Sequence, residues 1–271
     1  MTSNSSPKTF ILDTNVIPLD SFARPCTPST RRALRTRHAG QSTHMKSFLP
    51  DNSPLRAFVP FCLALLILAT ASPASQILRY REQTGDDSFT FSWRADWERD
   101  SVTVIQNQGD EIFSSVNTTE GTTLSWRFIK QPDTDVRAER KGDRIHFSGR
   151  FAGKTIDRTE AIDPRPWYQP LSFCLQRMVA REQSSADFWT IRPDTLEVLA
   201  MQAKNAGSAQ IPSINGGAER TEKVVIQLDG LMSAIWQAEY WFRSSDNLFL
   251  QYRGTHGPPG TDETRIRLVT H

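Results

Sequence analysis

Apolar and polar residues alternate along most of the chain after about residue 77. In "SFTFSWRADW" Phe89 and Phe91 alternate with polar residues, and "TTLSWRFIK" repeats the arrangement with Leu124, Trp126 and Phe128. A period of two is typical of strands that have one buried face and one solvated face. The pattern therefore predicts an antiparallel sheet that is wetted on one side.

One segment, "DPRPWYQPLSFCLQRMVARE", breaks this alternation. Leu171, Leu175, Met178 and Val179 fall on one helical stripe that follows Pro170. Proline is favoured at the start of a helix, and a stripe of this kind buries one helical face. We expect a single short helix here.

Strand patterns resume after the helix with "DFWTIR", "TLEVLAMQA" and "EKVVIQLDG", and "GSAQIPSINGGAER" between the last two is expected to be an exposed loop. "SAIWQAEYWFRSSDNLFLQYRG" predicts a hairpin that turns at "SSDN", with Trp236, Tyr240 and Phe242 on one face and Trp241 on the other. About nine or ten strands are expected in all. A single antiparallel sheet of that size curves strongly, so the predicted fold is mainly β, barrel-like or folded over, with one short helix.

Three segments resemble exported bacterial proteins around the domain of unknown function 3108 family. They are "IDPRPWYQPLSFCLQ", "KVVIQLDGLMSAIWQAEYWFRSSDNLFLQYRG" and "PGTDETRIRLV", and the resemblance spans residues 77–270. It implies a strongly curved antiparallel sheet in the cell envelope. The family has no established catalytic residues, so it implies none for this chain.

Residues 45–74 have the organisation of a signal peptide. Lys46 and Arg56 supply positive charge, "AFVPFCLALLILATA" supplies an apolar core, and "ATASPAS" supplies small residues for cleavage. Fifteen helical residues span about 22 Å, which is shorter than a bilayer core of about 30 Å. We expect cleavage and a β-rich envelope domain over residues 75–271 that is periplasmic or secreted. The alternative is an inner-membrane anchor formed by residues 57–71.

The first 44 residues are interpreted as a disordered extension or a wrongly assigned start. "TFILDTN" is similar to the first strand of the PIN-domain ribonucleases, which implies that Asp13 would help to hold Mg²⁺ or Mn²⁺ with support from Asn15. A divalent ion needs several oxygen ligands, and the Pro-, Ser- and Arg-rich stretch that follows has no acidic residue. A metal-dependent ribonuclease acting through Asp13 therefore stays a second alternative.

Charge and cysteine content narrow the chemistry further. Residues 1–74 contain 8 Lys and Arg residues against 3 Asp and Glu residues. Residues 75–271 contain 24 Lys and Arg residues against 27 Asp and Glu residues. The basic charge thus belongs to the leader, and we expect no nucleic-acid partner.

Cys174 is the single cysteine after residue 74, so no internal disulfide is expected there. Neither metal-ligand spacing nor a phosphate loop is visible, and we expect no metal and no cofactor.

Aromatic residues are the most promising candidates for a binding site, because all seven tryptophans lie after residue 74. Core packing explains any single one of them. A concave surface for an acyl chain, or a stacking platform for sugars, is the functional interpretation. Trp167 and Tyr168, between two prolines, are expected to be exposed. The candidate ligand-binding residues are Trp126, Trp167, Tyr168, Trp236, Tyr240 and Trp241.

These patterns favour an exported, non-enzymatic binding or envelope-maintenance protein over an enzyme. An aromatic-lined groove would accept a lipid or other hydrophobic ligand, or an envelope protein, and the membrane would be contacted only by the signal segment. No catalytic residue is assigned. The first alternative is an envelope enzyme that acts on glycans through carboxylates, and Asp157, Glu160 and Asp163 are its candidates.

Overall fold

Fourteen strands form where apolar and polar residues alternate, and they join in one antiparallel sheet in the computed structural model of the chain. The structure describes residues 75–214, 216–230, 236–255 and 261–270. The strands are β1 (Gln76–Thr84), β2 (Asp87–Trp97), β3 (Ser101–Gln108), β4 (Glu111–Thr118), β5 (Thr123–Lys130), β6 (Thr134–Lys141), β7 (Arg144–Phe151), β8 (Lys154–Ala161), β9 (Ser185–Ile191), β10 (Val198–Pro212), β11 (Ala218–Leu228), β12 (Gln237–Arg243), β13 (Phe249–Thr255) and β14 (Glu263–Thr270).

Every strand except β8 and β9 pairs with two neighbours. Strands adjacent in sequence are adjacent in the sheet, with the exception of β8 and β9. β1 pairs with β14, so the first and last strands lie side by side. The two edges of the sheet are β8 and β9. The connection between these two strands contains α1 (Leu171–Ala180), the one helix in the described ranges.

The sheet curves until its two edges approach each other. Arg158 on β8 donates a hydrogen bond from Nη2 to the carbonyl oxygen of Leu196, just beyond β9, at 2.6 Å. Trp189 on β9 donates from Nε1 to Asp163 at 2.8 Å. No ladder joins β8 directly to β9. The fold is therefore barrel-like but not closed, and the predicted mainly β fold with a single strongly curved antiparallel sheet is confirmed.

Helix α1 packs its apolar stripe against the core. Leu175 and Met178 are buried, together with Phe173, whose ring lies 6.0 Å from that of Trp97 at the end of β2. The turn before β5 approaches the helix closely at Gly121, where φ is +97° and an added Cβ would lie 2.9 Å from the Cβ of Arg177. The predicted helix after Pro170 is confirmed.

Three details differ from the sequence expectations. The described residues form fourteen strands rather than nine or ten. "GSAQIPSINGGAER" is not an exposed loop, because β10 continues to Pro212 and pairs with β11 as far as Ala218. Polar side chains do not prevent this pairing, since the backbone makes the hydrogen bonds of a hairpin. Leu124 is exposed although it was expected beside Trp126, because the β4–β5 register shifts at Asn117.

Several expectations concern residues outside the described ranges. These are Asp13, the extension of residues 1–44, and the signal segment of residues 45–74 with its possible anchor at 57–71. They stay predictions. In the part of the chain that the structure does describe, no helix is long and apolar enough to cross a membrane.

Candidate ligand cavity

A cavity of about 230 Å³ lies between the curved sheet and the start of the helical connection. Gln169, Pro170, Leu171 and Ser172 border it on one side. Most of its wall is apolar or aromatic, and the members of this group come from both halves of the sheet. They are Phe91, Trp93, Val104, Phe113, Trp126, Ile191, Leu199, Met201, Ile226, Leu228, Trp236, Tyr240, Phe249, Tyr252 and Ile266.

Strand alternation places these side chains on the inner face. On β1, Tyr80 and Glu82 are two residues apart and both line the cavity. Tyr80 pairs with Phe91 on β2, and Glu82 pairs with Ile266 on β14. The wall is therefore built from cross-strand rows of inward-facing residues.

Three tyrosines and a phenylalanine form one side of the wall. The ring of Tyr240 lies 5.0 Å from that of Tyr252 and 5.8 Å from that of Phe249. The hydroxyl of Tyr80 donates to the carbonyl oxygen of Phe249 at 3.0 Å. Burial raises the pKa of Tyr80, Tyr240 and Tyr252 well above 10, so all three remain neutral at physiological pH.

Glu82 interrupts this apolar wall. Its side chain is 4% exposed, and it makes no ion pair or hydrogen bond with any residue that the structure describes. Burial, with a smaller contribution from the negative charge of Glu111, raises the pKa of Glu82 to about 7. The cavity therefore contains a carboxyl group that titrates near neutrality.

Two other charged groups in this region, Arg192 in the lining and Glu111 near Glu82, have ion-pair partners within the protein. Arg192 lines it and is 6% exposed, and its guanidinium lies 2.7 Å from Asp194 and 3.4 Å from Glu197. Glu111 is buried and pairs with Lys130 at 2.9 Å. Glu82 is thus the charged lining residue without a described counter-ion.

The structure brings three of the six predicted site residues to the cavity, namely Trp126, Trp236 and Tyr240. Trp241 lies on the opposite face of β12, with Lys223 and Arg253 positioned over its ring at 5.5 and 5.6 Å. It does not line the cavity.

The expectation that Trp167 and Tyr168 are exposed is wrong. Trp167 is 0% exposed and Tyr168 is 7% exposed. Their segment runs beside β9, where Trp167 forms a parallel bridge with Trp189, and Thr123 donates its backbone N–H to the carbonyl oxygen of Trp167 at 2.8 Å. These long-range contacts bury both side chains in the core.

Sequence reasoning missed Tyr80 and Glu82. Leu78, Tyr80 and Glu82 follow one another at a spacing of two, which places a carboxylate on the same face as two apolar residues. A charged residue at an inward position of an amphipathic strand was the feature that could have identified the site.

The carboxylates of the glycan-enzyme alternative do not share a cleft. Asp157 and Glu160 are three residues apart on β8, so their side chains point to opposite faces of the sheet. Glu160 pairs with Arg158. Asp163 accepts hydrogen bonds from Arg165 and Trp189, and the Arg165 guanidinium holds the pKa of Asp163 well below its usual range.

Two further chemistries are not supported by the geometry of the described residues. Cys174 is buried, and this burial raises the pKa of its thiol to about 12, which disfavours the nucleophilic thiolate. Across the residues described here, no group of three or more His, Cys, Asp or Glu side chains could hold a metal ion.

Fold and site define a mainly β, barrel-like protein with an internal apolar cavity. The chain is similar to a crystal structure from Brucella abortus, described as a beta-barrel-like protein of domain of unknown function DUF1849. The identity is 10%, the TM-score is 0.51, and the match covers 72% of this chain and 96% of that one. A DUF1329 family protein from Desulfovibrio piger matches at 9% identity with a TM-score of 0.24, over 73% of this chain and 85% of the other.

The likeness to the Brucella abortus protein supports the barrel-like fold alone. No family model matches the chain, and no curated protein matches it either. The resemblances to the domain of unknown function 3108 family and to the PIN-domain ribonucleases therefore stay predictions.

Proposed function

We propose that this chain is an exported binding protein that holds a hydrophobic ligand in the cavity of its curved sheet. The observation that carries the proposal is the apolar, aromatic lining of a cavity of about 230 Å³ inside the fold. An apolar cavity of about 150 Å³ is large enough to admit benzene. The space found here therefore suits an alkyl chain or a ring system.

Burial of an alkyl chain would supply the binding energy. Each buried methylene contributes about 0.8 kcal/mol, so a chain of eight carbons gains about 6 kcal/mol before the cost of association. The aromatic residues face inward, and this favours a small hydrophobic ligand over the surface of a protein partner.

Filling part of the cavity should weaken binding. Leu199 lines the cavity from β10 and is half-buried, so Leu199→Trp would occupy part of the space. Leu124→Trp is the matched control, because Leu124 is 44% exposed and lies outside the lining. The full-length protein is titrated with the neutral fluorescent probe N-phenyl-1-naphthylamine, and circular dichroism checks the fold of each variant.

The wild type and Leu124→Trp should bind the probe with similar affinity, whereas Leu199→Trp should bind at least about tenfold more weakly. Failure of the wild-type protein to bind would overturn the proposal. Equal binding by a folded Leu199→Trp variant would also overturn it.

Export is the part of the proposal that rests on the sequence of residues 45–74. The cellular location is tested by measuring the intact mass of the protein in the periplasmic, membrane and cytosolic fractions of a Gram-negative host. A product that begins between Ser72 and Gln76 supports cleavage, and a product that retains Met45 in the membrane or cytosol contradicts it.

A further inference from the structure

Glu82 occupies a position in which its charge has no compensation from the sheet. Its cross-strand neighbours are Phe89 on β2 and Ile266 on β14, and neither can donate a hydrogen bond from its side chain. Tyr252 pairs with Ile266 one strand further away. Burial of a carboxylate without a partner costs free energy, because the group loses its hydration and gains no ion pair or hydrogen bond. A ligand that supplies a cationic partner would offset this cost and would bind more tightly for that reason.

The other charged groups that face this region leave the sign of the cavity negative. Arg192 forms ion pairs with Asp194 and Glu197, so this group carries no net positive charge, and Lys130 pairs with Glu111. The three lining tyrosines are neutral because burial raises the pKa of each hydroxyl. Among the described residues that line the cavity, Glu82 is the charged one without an ion-pair partner, and its carboxylate would repel an anionic head group such as that of a fatty acid.

We propose that the cavity selects an amphiphile with a single ammonium head group, which pairs with Glu82 while its alkyl chain lies against the aromatic wall. This inference rests on the proposed function, because it specifies the class of hydrophobic ligand. A primary ammonium group donates hydrogen bonds to a carboxylate, and such charge-assisted bonds are stronger than neutral ones.

Protons compete with the ammonium group for Glu82. Since the pKa of Glu82 is raised to about 7 in the empty cavity, the carboxyl is ionised above that pH and neutral below it. Affinity for an alkylammonium ion should therefore fall as the pH is lowered through 7. An alkyl alcohol should show no such dependence.

The test compares decylammonium, 1-decanol and decanoate as ligands of the full-length protein, each by displacement of N-phenyl-1-naphthylamine. Decylammonium keeps its charge across the range used, as a lysine side chain does with a pKa of about 10.4. The variants are Glu82→Gln and, as a matched control, Asp87→Asn. Asp87 is exposed at the start of β2 and does not line the cavity.

At about pH 8.5 the wild type and Asp87→Asn should bind decylammonium at least about tenfold more tightly than 1-decanol. At about pH 5.5, where Glu82 is protonated, both proteins should bind the two ligands with similar affinity. Glu82→Gln should bind both ligands equally at either pH. Binding of 1-decanol without any preference for decylammonium, or a preference for decanoate, would overturn the inference and leave the proposed function intact. Failure of all three ligands to displace the probe would overturn both.

Discussion

At the scale of single residues, Glu82 lowers the stability of the fold at alkaline pH. Burial, helped by the charge of Glu111, raises the pKa of Glu82 from an ordinary 4.5 to about 7. The folded state therefore holds this proton more tightly than the unfolded state does. The contribution of the neutral carboxyl to stability is complete below about pH 4.5 and is lost as the pH rises through 7.

Glu82→Gln should stabilise the ligand-free protein at alkaline pH, because the amide is neutral at every pH. The difference between a pKa of 4.5 and about 7 corresponds to a gain of about 3 kcal/mol in unfolding free energy at about pH 8.5, and the gain should disappear towards pH 4.5. Urea denaturation at both pH values measures the difference in unfolding free energy between Glu82→Gln and the wild type, with Asp87→Asn as the control. A loss of stability at about pH 8.5 would show that the Glu82 carboxylate has a stabilising partner.

Residues differ in how far the sequence predicts their environment. Alternation in β1 places Glu82 on the same face as Tyr80, and this shared orientation can be predicted from the sequence. Its burial depends on Ile266 in β14, which is 184 positions away in the sequence, and local pattern carries no information about that contact. Trp167 was misjudged for the same reason, since its burial comes from β9 and from Thr123.

At the scale of elements, helix α1 was the most predictable part of the fold. Its apolar residues recur three or four positions apart, whereas apolar residues in the flanking segments recur every second position. Pro170 also precedes its first turn. The β10–β11 hairpin was harder to predict, because Gly207 and the polar residues around it resemble a loop. Its backbone pairing nevertheless continues past this glycine.

The helix should contribute strongly to stability through Leu175, which is fully buried. Leu175→Ala removes three buried carbons and leaves a cavity, so we expect a loss of about 2–5 kcal/mol in unfolding free energy. Gln176→Ala, at the adjacent half-buried position, should change it by less than about 0.5 kcal/mol. Urea denaturation followed by circular dichroism compares the two, and equal effects would show that the helix is not part of the cooperative core.

At the scale of the whole molecule, the ladder between β1 and β14 joins two runs of strands, β1–β8 and β9–β14. A second set of contacts joins the far edges, where Phe147 of β7 belongs to the same buried cluster as Ile191 and Leu196. Alternation along the sequence predicts which face of a strand is buried but not which strand is its partner. The mainly β, curved architecture was therefore predictable, whereas the pairing of the first strand with the last was not.

Because the two runs are linked at both places, they should unfold as one unit. Leu268 on β14 is 3% exposed and pairs with Tyr80, so Leu268→Ala should cost about 2–5 kcal/mol. Hydrogen exchange monitored by mass spectrometry should then show equal losses of protection in β7 and β11, which lie on opposite sides of this ladder. Leu124→Ala, at an exposed position, should leave both strands protected. Loss of protection in β11 with β7 unchanged would mean that the contacts between the edges are too weak to couple the two runs, and that the cavity between them can open without global unfolding.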